Sequence, residues 1–170
     1  VINLSKTLNY KNLKFVVQKE QLGTGDAVKK AASSLDDKSI ALIMNGDTPF
    51  VDEETINQAL SQYRKTKSVF TIATTKPSSP FGYGRILRDN DGQILDIVEE
   101  KDCNNEQKLI KEVNAGLYLI ATDYLKKFVK KIKKNKNSEY YLTDLVNIFV
   151  RNGLRVDSVP IKDERKFINI

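Results

Sequence analysis

Three polar clusters in this chain carry residue types suited to holding a phosphorylated ligand. Gln18-Lys19-Glu20-Gln21-Leu22-Gly23-Thr24-Gly25 combines glycines with amide and hydroxyl side chains. Glycines there permit close backbone approach, and N–H groups at a helix start bind an anion or a uracil-like edge. A plain helix entry capped by Thr24 or Asp26 accounts for the same residues. Asn45-Gly46-Asp47 sets one carboxylate beside a glycine, directly after the most hydrophobic run. Mg2+ takes one or two carboxylates plus waters and substrate phosphates, which makes Asp47 the candidate metal ligand. Its alternative role is to cap the helix that follows. Phe81-Gly82-Tyr83-Gly84-Arg85 packs two glycines around an aromatic and reads, by itself, as a tight loop. There is no histidine, and Cys103 is the single cysteine, so no internal disulfide forms and no imidazole activates the thiol. Cys103 reads as an incidental residue of a reducing cytoplasm.

The elements that must position these clusters are legible from hydrophobic periodicity. Phe15-Val16-Val17 reads as a short strand ending at the first cluster. Ala27, Val28, Ala31, Ala32 and Leu35 form the apolar stripe of the helix that the cluster opens. Ile40-Ala41-Leu42-Ile43-Met44 reads as a strand buried on both faces, leading to the second cluster. Acids at Asp52, Glu53 and Glu54 suit the first turn of a helix reaching about Tyr63. Val69-Phe70-Thr71-Ile72-Ala73 is the next strand, and Pro77 and Pro80 break the chain after it. Asp89-Asn90-Asp91-Gly92 marks a hairpin between two apolar runs. A strand over 113–120, a lysine-rich helix, a helix over 143–151 and a strand over 156–161 complete the order. Alternation of strands and helices implies an α/β, three-layer Rossmann-like fold, with a mostly parallel sheet and a β-hairpin insertion. Open sheets of this kind bind ligands at the carboxyl ends of their strands, where the three clusters fall.

The joint pattern narrows the reading. Gln-x-Glu-Gln-Leu-Gly-Thr-Gly, Asn-Gly-Asp-Thr-Pro, Gly-Tyr-Gly-Arg-Ile, Val-Glu-Glu-Lys-Asp, Glu-Val-Asn-Ala-Gly and Glu-Tyr-Tyr-Leu-Thr-Asp occur in that order. From about residue 13 to the end, the chain resembles the uridylyltransferase domain of the bifunctional N-acetylglucosamine-1-phosphate uridylyltransferase/glucosamine-1-phosphate acetyltransferases. The resemblance implies a nucleotide-diphospho-sugar transferase fold and transfer from UTP to N-acetylglucosamine-1-phosphate, giving UDP-N-acetylglucosamine and pyrophosphate. It implies that Gln18, Gly23 and Thr24 contact the uracil. It places Asn45, Gly46 and Asp47 at the ribose, phosphates and metal, with Mg2+ on Asp47. Gly84, Glu99, Asn114 and Thr143 would hold the N-acetylglucosamine moiety, and Asn169 resembles a second magnesium ligand. Asn169 stands beside Phe167 where the family has a glycine nearby. Lys101 is a possible cation near the sugar. Such a transfer rests on positioning and charge neutralisation, so it needs neither histidine nor cysteine.

The chain departs from the family at its start. Nothing between Val1 and Phe15 resembles the family's Leu-x-Ala-Gly-x-Gly-Thr-Arg-Met phosphate loop, and no β-helix repeat occurs. The expectation is a single partial nucleotidyltransferase domain over 1–170, inactive alone, with unprotected sheet edges that favour self-association. Three alternatives stand beside this: another sugar-1-phosphate nucleotidyltransferase, a non-catalytic nucleotide-sugar binding module, and a basic nucleic-acid binder. The last has the weakest basis. Net charge is +6, but seven lysines between positions 126 and 136 account for it; without them 21 basic residues face 22 acidic ones. Tyr124, Leu125, Phe128, Val129 and Ile132 recur there at helical spacing, so the lysines read as the wet side of an amphipathic helix. No apolar run reaches the ~20 residues of a membrane span, and no signal-peptide pattern opens the chain. A cytoplasmic location follows as the expectation.

Overall fold

A computed structural model describes residues 13–167. In chain order the elements are α1 (Thr24–Ala31), β1 (Ile40–Met44), α2 (Glu53–Thr66), β2 (Phe70–Thr75), β3 (Arg85–Arg88) and β4 (Ile94–Val98). They continue with α3 (Asn105–Lys108), β5 (Val113–Ala121), α4 (Thr122–Phe128), α5 (Asp144–Arg151) and β6 (Val156–Pro160). Local chemistry sets several boundaries. Asp52 caps α2 by accepting the Thr55 N–H at 2.9 Å, and Lys67 ends that helix in the left-handed region. Gly92, at φ +79°, makes the hairpin turn, and the Asp89 carboxylate accepts the Asp91 and Gln93 N–H groups.

The sheet runs β4-β3-β5-β2-β6, with β1 also paired to β5. It is mixed and mostly antiparallel, not mostly parallel: among the described residues β2 with β6 is the one parallel pair, while β1–β5, β2–β5, β3–β4 and β3–β5 are antiparallel. The physical reason is the hairpin. β1, β2 and β6 point the same way, as strand–helix alternation requires, but β5 emerges from the β3–β4 hairpin running against them and inserts between β1 and β2.

Period-2 alternation along β5 and β2 feeds two apolar layers. Phe70, Ile72, Tyr118 and Ile120 pack on one side with Leu125, Phe128, Leu145 and Phe149 of α4 and α5. Ala73, Leu117 and Leu119 pack on the other with Ala59 of α2 and with Phe167. Helices therefore cover both faces, giving the expected three layers.

Three expectations are corrected. Phe15, Val16 and Val17 form no strand; they lie in irregular backbone and are exposed, Val17 by 68%. No described strand pairs with them, so neither ladder bonds nor burial hold them extended. β1 is an edge strand, with β5 its one partner among the described residues, and Ile40, Leu42 and Met44 on one face are exposed. A continuous apolar run cannot tell an edge strand from a central one. The lysine-rich helix ends at Phe128, passes through a 3-10 turn at Val129–Lys131 and leaves Lys133, Lys134 and Lys136 in a loop. Like charges four apart, such as Lys126 and Lys130, oppose its continuation. Its apolar positions Leu125, Phe128, Val129 and Ile132 are nonetheless buried.

Candidate functional site

Strand register explains how distant motifs meet. β1 and β3 both run antiparallel along the same edge of β5: Met44 stands opposite Leu117 and Arg85 opposite Val113. The C-terminal end of β1 and the N-terminal start of β3 thus approach each other across a gap facing Asn114-Ala115-Gly116. Asn45 enters from one side, donating its backbone N–H to the Gly116 carbonyl at 3.3 Å. Gly84 enters from the other, its carbonyl accepting the Asn114 N–H at 2.8 Å. Gly116 has φ +74°, and a Cβ on it would lie 2.6 Å from Asn45 Nδ2. The glycine is required both by backbone conformation and by the side chain lying against it.

The remaining motifs join through Glu99. A Cβ on Gly84 would come within 3.3 Å of the Glu99 carboxylate. That carboxylate accepts the Thr143 hydroxyl at 2.8 Å. Burial pushes Glu99 above the usual carboxylate range, with the Thr143 hydrogen bond opposing the rise. The Thr143 segment is laced to the first cluster by short bonds: Tyr140 N–H to Leu22 O at 2.8 Å, Gly25 N–H to Tyr140 O at 2.8 Å, and Leu142 N–H to Thr24 Oγ1 at 3.1 Å. Gly23, at φ +97°, leaves no room for a Cβ, which would sit 2.5 Å from the Tyr140 carbonyl oxygen. Gln18 donates to Asp26 at 2.7 Å and to the Gly23 carbonyl at 3.2 Å, which fixes it beside this loop.

These contacts frame a cavity of about 430 Å³ lined by Gln18, Gln21, Gly23, Thr24, Glu99 and Tyr141, with Ala27 and Glu139 completing the wall. Lys101 pairs with Glu139 at 2.9 Å, and its ammonium sits 5.5 Å from the centre of the Tyr141 ring. The Glu139 bond holds the Lys101 ammonium above the ordinary lysine range. A second cavity, of about 450 Å³, shares Glu99 and Tyr141 as walls and adds Asp96, Asp102, Asp144 and Arg151. Burial, then the charges of Asp96, Glu99 and Asp102, push Asp144 up to about 6.

Sequence reasoning named Gln18, Gly23, Thr24, Asn45, Gly84, Glu99, Asn114 and Thr143, and the structure brings all eight into one chain of contacts. Gly46 and Asp47 follow β1 on an exposed turn and do not line either cavity. Asn169 lies outside the described residues. Glu139 and Tyr141 went unnamed individually, although both stand in the Glu-Tyr-Tyr-Leu-Thr-Asp motif.

Asp47 stands as a single exposed carboxylate just after the end of β1. Among the described residues no three Asp, Glu, Cys or His side chains gather into a metal cage. Asp47 offers a solvent-facing carboxylate without a hydrogen bond or ion pair to another described residue. One carboxylate with phosphates and waters is the ligation Mg2+ favours.

The family description "Nucleotidyl transferase" matches residues 3–164. The chain belongs to the nucleotidyl transferase family. Among curated relatives, it is 39% identical over 155 residues to the bifunctional protein GlmU of Carboxydothermus hydrogenoformans, covering 91% of this chain and 34% of that protein. It is 42% identical over 151 residues to GlmU of Geobacter metallireducens, covering 88% of this chain and 32% of that protein. The chain thus spans about a third of the length of the curated relatives it matches. Its fold is similar to that of apo UDP-glucose pyrophosphorylase, at TM-score 0.70 and 20% identity, over 88% of this chain and 56% of the other. The same fold appears in UDP-glucose pyrophosphorylase complexed with UDP-glucose, at TM-score 0.68 and 20% identity, over 88% of this chain and 58% of that one. Among the described residues of the nucleotidyl transferase chain, no helix is long and apolar enough to cross a membrane.

Proposed function

We propose that this nucleotidyl transferase chain is part of a protein that carries out uridylyl transfer from UTP to N-acetylglucosamine-1-phosphate in the cytoplasm, and that these 170 residues alone are inactive. The single observation that carries the reading is the convergence on Glu99 and Asn114 of motifs separated by up to about a hundred residues, beside a cavity walled by Gln18, Gly23 and Thr24.

In this reading Gln18, Gly23 and Thr24 hold the uracil edge, and Asn45 and Gly46 lie along the ribose and phosphates. Gly84, Glu99, Asn114 and Thr143 hold the N-acetylglucosamine moiety. Asp47 and Asn169 would hold Mg2+, which when bound neutralises charge on the phosphates. A phosphate oxygen of N-acetylglucosamine-1-phosphate attacks the α-phosphorus of UTP. The bond from that phosphorus to the bridging oxygen breaks, and pyrophosphate leaves. The chain's own groups contribute orientation: amide and hydroxyl donors fix the base and sugar so that the attacking oxygen and leaving pyrophosphate lie in line. Half-buried Glu99, already holding one hydroxyl, has lone pairs left to accept sugar hydroxyls.

Calorimetric titration tests this. UDP-N-acetylglucosamine with Mg2+ is expected to bind more tightly than UDP-glucose or a dTDP-sugar, and Asp47→Asn is expected to remove the Mg2+-dependent part. Equal or tighter binding of UDP-glucose would transfer the reading to another sugar-1-phosphate nucleotidyltransferase. Among the described residues β1 has one paired edge, and Ile40, Leu42 and Met44 are exposed; this supports self-association, which sedimentation at rising concentration measures.

A further inference from the structure

Asn114 has one partner whose presence the sugar reading does not call for. Its amide nitrogen donates to the Tyr118 hydroxyl at 2.7 Å, and its amide oxygen accepts the Gly116 N–H at 3.1 Å. The second bond fixes which end of the amide is oxygen, so the nitrogen must face the phenol. Tyr118 is four residues along the same strand, 4% exposed, and its ring stacks on Phe70 at 5.7 Å between centroids. A buried tyrosine in a strand otherwise lined by Leu, Ile and Ala is a costly choice unless its hydroxyl is satisfied. Here the satisfying partner is a residue of the candidate site. Burial pushes the phenol above its ordinary range, and the nearby Glu99 charge adds to the rise, so the hydroxyl keeps its proton.

We propose that Tyr118 is a positioning residue for sugar recognition: with Gly116 it clamps the Asn114 amide at both ends, so that one N–H and one oxygen lone pair remain aimed at the sugar. The inference rests on the reading of Asn114 as a sugar-facing residue. An unclamped asparagine interconverts between rotamers and flips its amide, and only a fraction of its orientations present a donor to the ligand. The clamp removes that cost before binding.

Tyr118→Phe keeps the ring and its stacking while deleting the hydroxyl. Two measurements on the full chain test the role. First, the Asn114 side-chain amide signals in the ligand-free protein should be shifted and exchange-protected in the wild type, and should lose that protection in Tyr118→Phe. Unchanged signals overturn the clamp whether or not ligand binds. Second, affinities for UDP-N-acetylglucosamine and for UDP are compared by calorimetry. Tyr118→Phe is expected to weaken UDP-N-acetylglucosamine about five-fold, the equivalent of one lost hydrogen bond, and to leave UDP unchanged. Equal weakening of both ligands would mark a purely structural role and overturn the proposal. Asn114→Ala separates the two levels of inference. If it leaves UDP-N-acetylglucosamine affinity intact, the sugar reading fails and the positioning role with it. If it weakens that ligand while Tyr118→Phe does not, only the positioning role fails.

Discussion

Thr143 donates its hydroxyl to the Glu99 carboxylate at 2.8 Å, joining a helix entry to the strand end that follows the hairpin. Thr143 is 3% exposed, and its bond opposes the rise in the Glu99 pKa that desolvation causes. Thr143→Val preserves shape and removes the donor. Stability is expected to fall by about 1 kcal/mol, the net worth of one hydrogen bond to a half-buried, cavity-lining carboxylate. The pKa of Glu99 should rise further. Denaturant melts and a carbon-detected titration of Glu99 check both, and a melt unchanged within error would remove Thr143 from this role.

Asp144 stands at the first turn of α5 and is pushed up to about 6 from an ordinary 3.8 by burial and by its acidic neighbours. A folded-state pKa above the unfolded one means that Asp144 stabilises the fold fully below about 3.8. That contribution is lost as pH rises through about 6. At pH 7 the ionised group is therefore a burden, partly offset by the helix N-terminus. Asp144→Asn should stabilise the chain at pH 7 by about 1 kcal/mol after allowance for solvent screening, a rise in melting temperature of about 2–4 °C. The gain should shrink toward pH 4. A melting temperature that falls at pH 7 would show that the carboxylate is held by something other than its acidic surroundings.

Much of this was legible in the residues alone, and the failures have physical causes. Turn chemistry is local, so Asp89 to Gly92 placed the hairpin turn and Asp52 the start of α2 within a residue. Which strands are neighbours is not local. Nothing in Val113–Ala121 says that it runs between β1 and β2 against their direction, so the parallel sheet was misjudged. Ile40–Met44 and Phe70–Thr75 are similar apolar runs, yet one is a half-exposed edge and the other is buried at every position. The candidate site was more readable than the sheet. Its glycines and amides answer to close approach, as Gly23 against Tyr140 and Gly116 against Asn45 show. Tyr118 was not readable, because its role depends on a hydroxyl partner four residues away in the folded strand.

Arg85 and Glu100 form an ion pair at 2.5 Å in which the Arg85 side chain is 2% exposed. Glu100 also accepts the Gly82 N–H at 3.3 Å, and Arg85 donates to the Tyr83 carbonyl, so the pair ties the loop before β3 to the turn after β4. Glu100→Ala leaves a guanidinium buried and unpaired, which should cost about 3–5 kcal/mol. Replacing both partners, Arg85→Met with Glu100→Leu, should recover most of that loss. A double variant as unstable as Glu100→Ala would show that the loop bonds, rather than the uncompensated charge, carry the energy.

Gly116 offers the most direct test of the gap between β1 and β3. Its φ of +74° is one that side chains rarely adopt, and an added Cβ would overlap the Asn45 amide. Gly116→Ala should therefore cost about 1–3 kcal/mol from backbone strain alone. It should also displace Asn45, whose backbone N–H bonds the Gly116 carbonyl at 3.3 Å. Pairing Gly116→Ala with Asn45→Ala separates these effects. Removing the Asn45 side chain makes room for the methyl, so the steric part of the loss should be relieved while the strain at φ persists. The double variant is expected to be more stable than the sum of the single losses implies, by about 0.5 kcal/mol or more. Strict additivity would mean that Asn45 does not lie against Gly116, and that the end of β1 and Asn114 are not held together in the way the strand register places them.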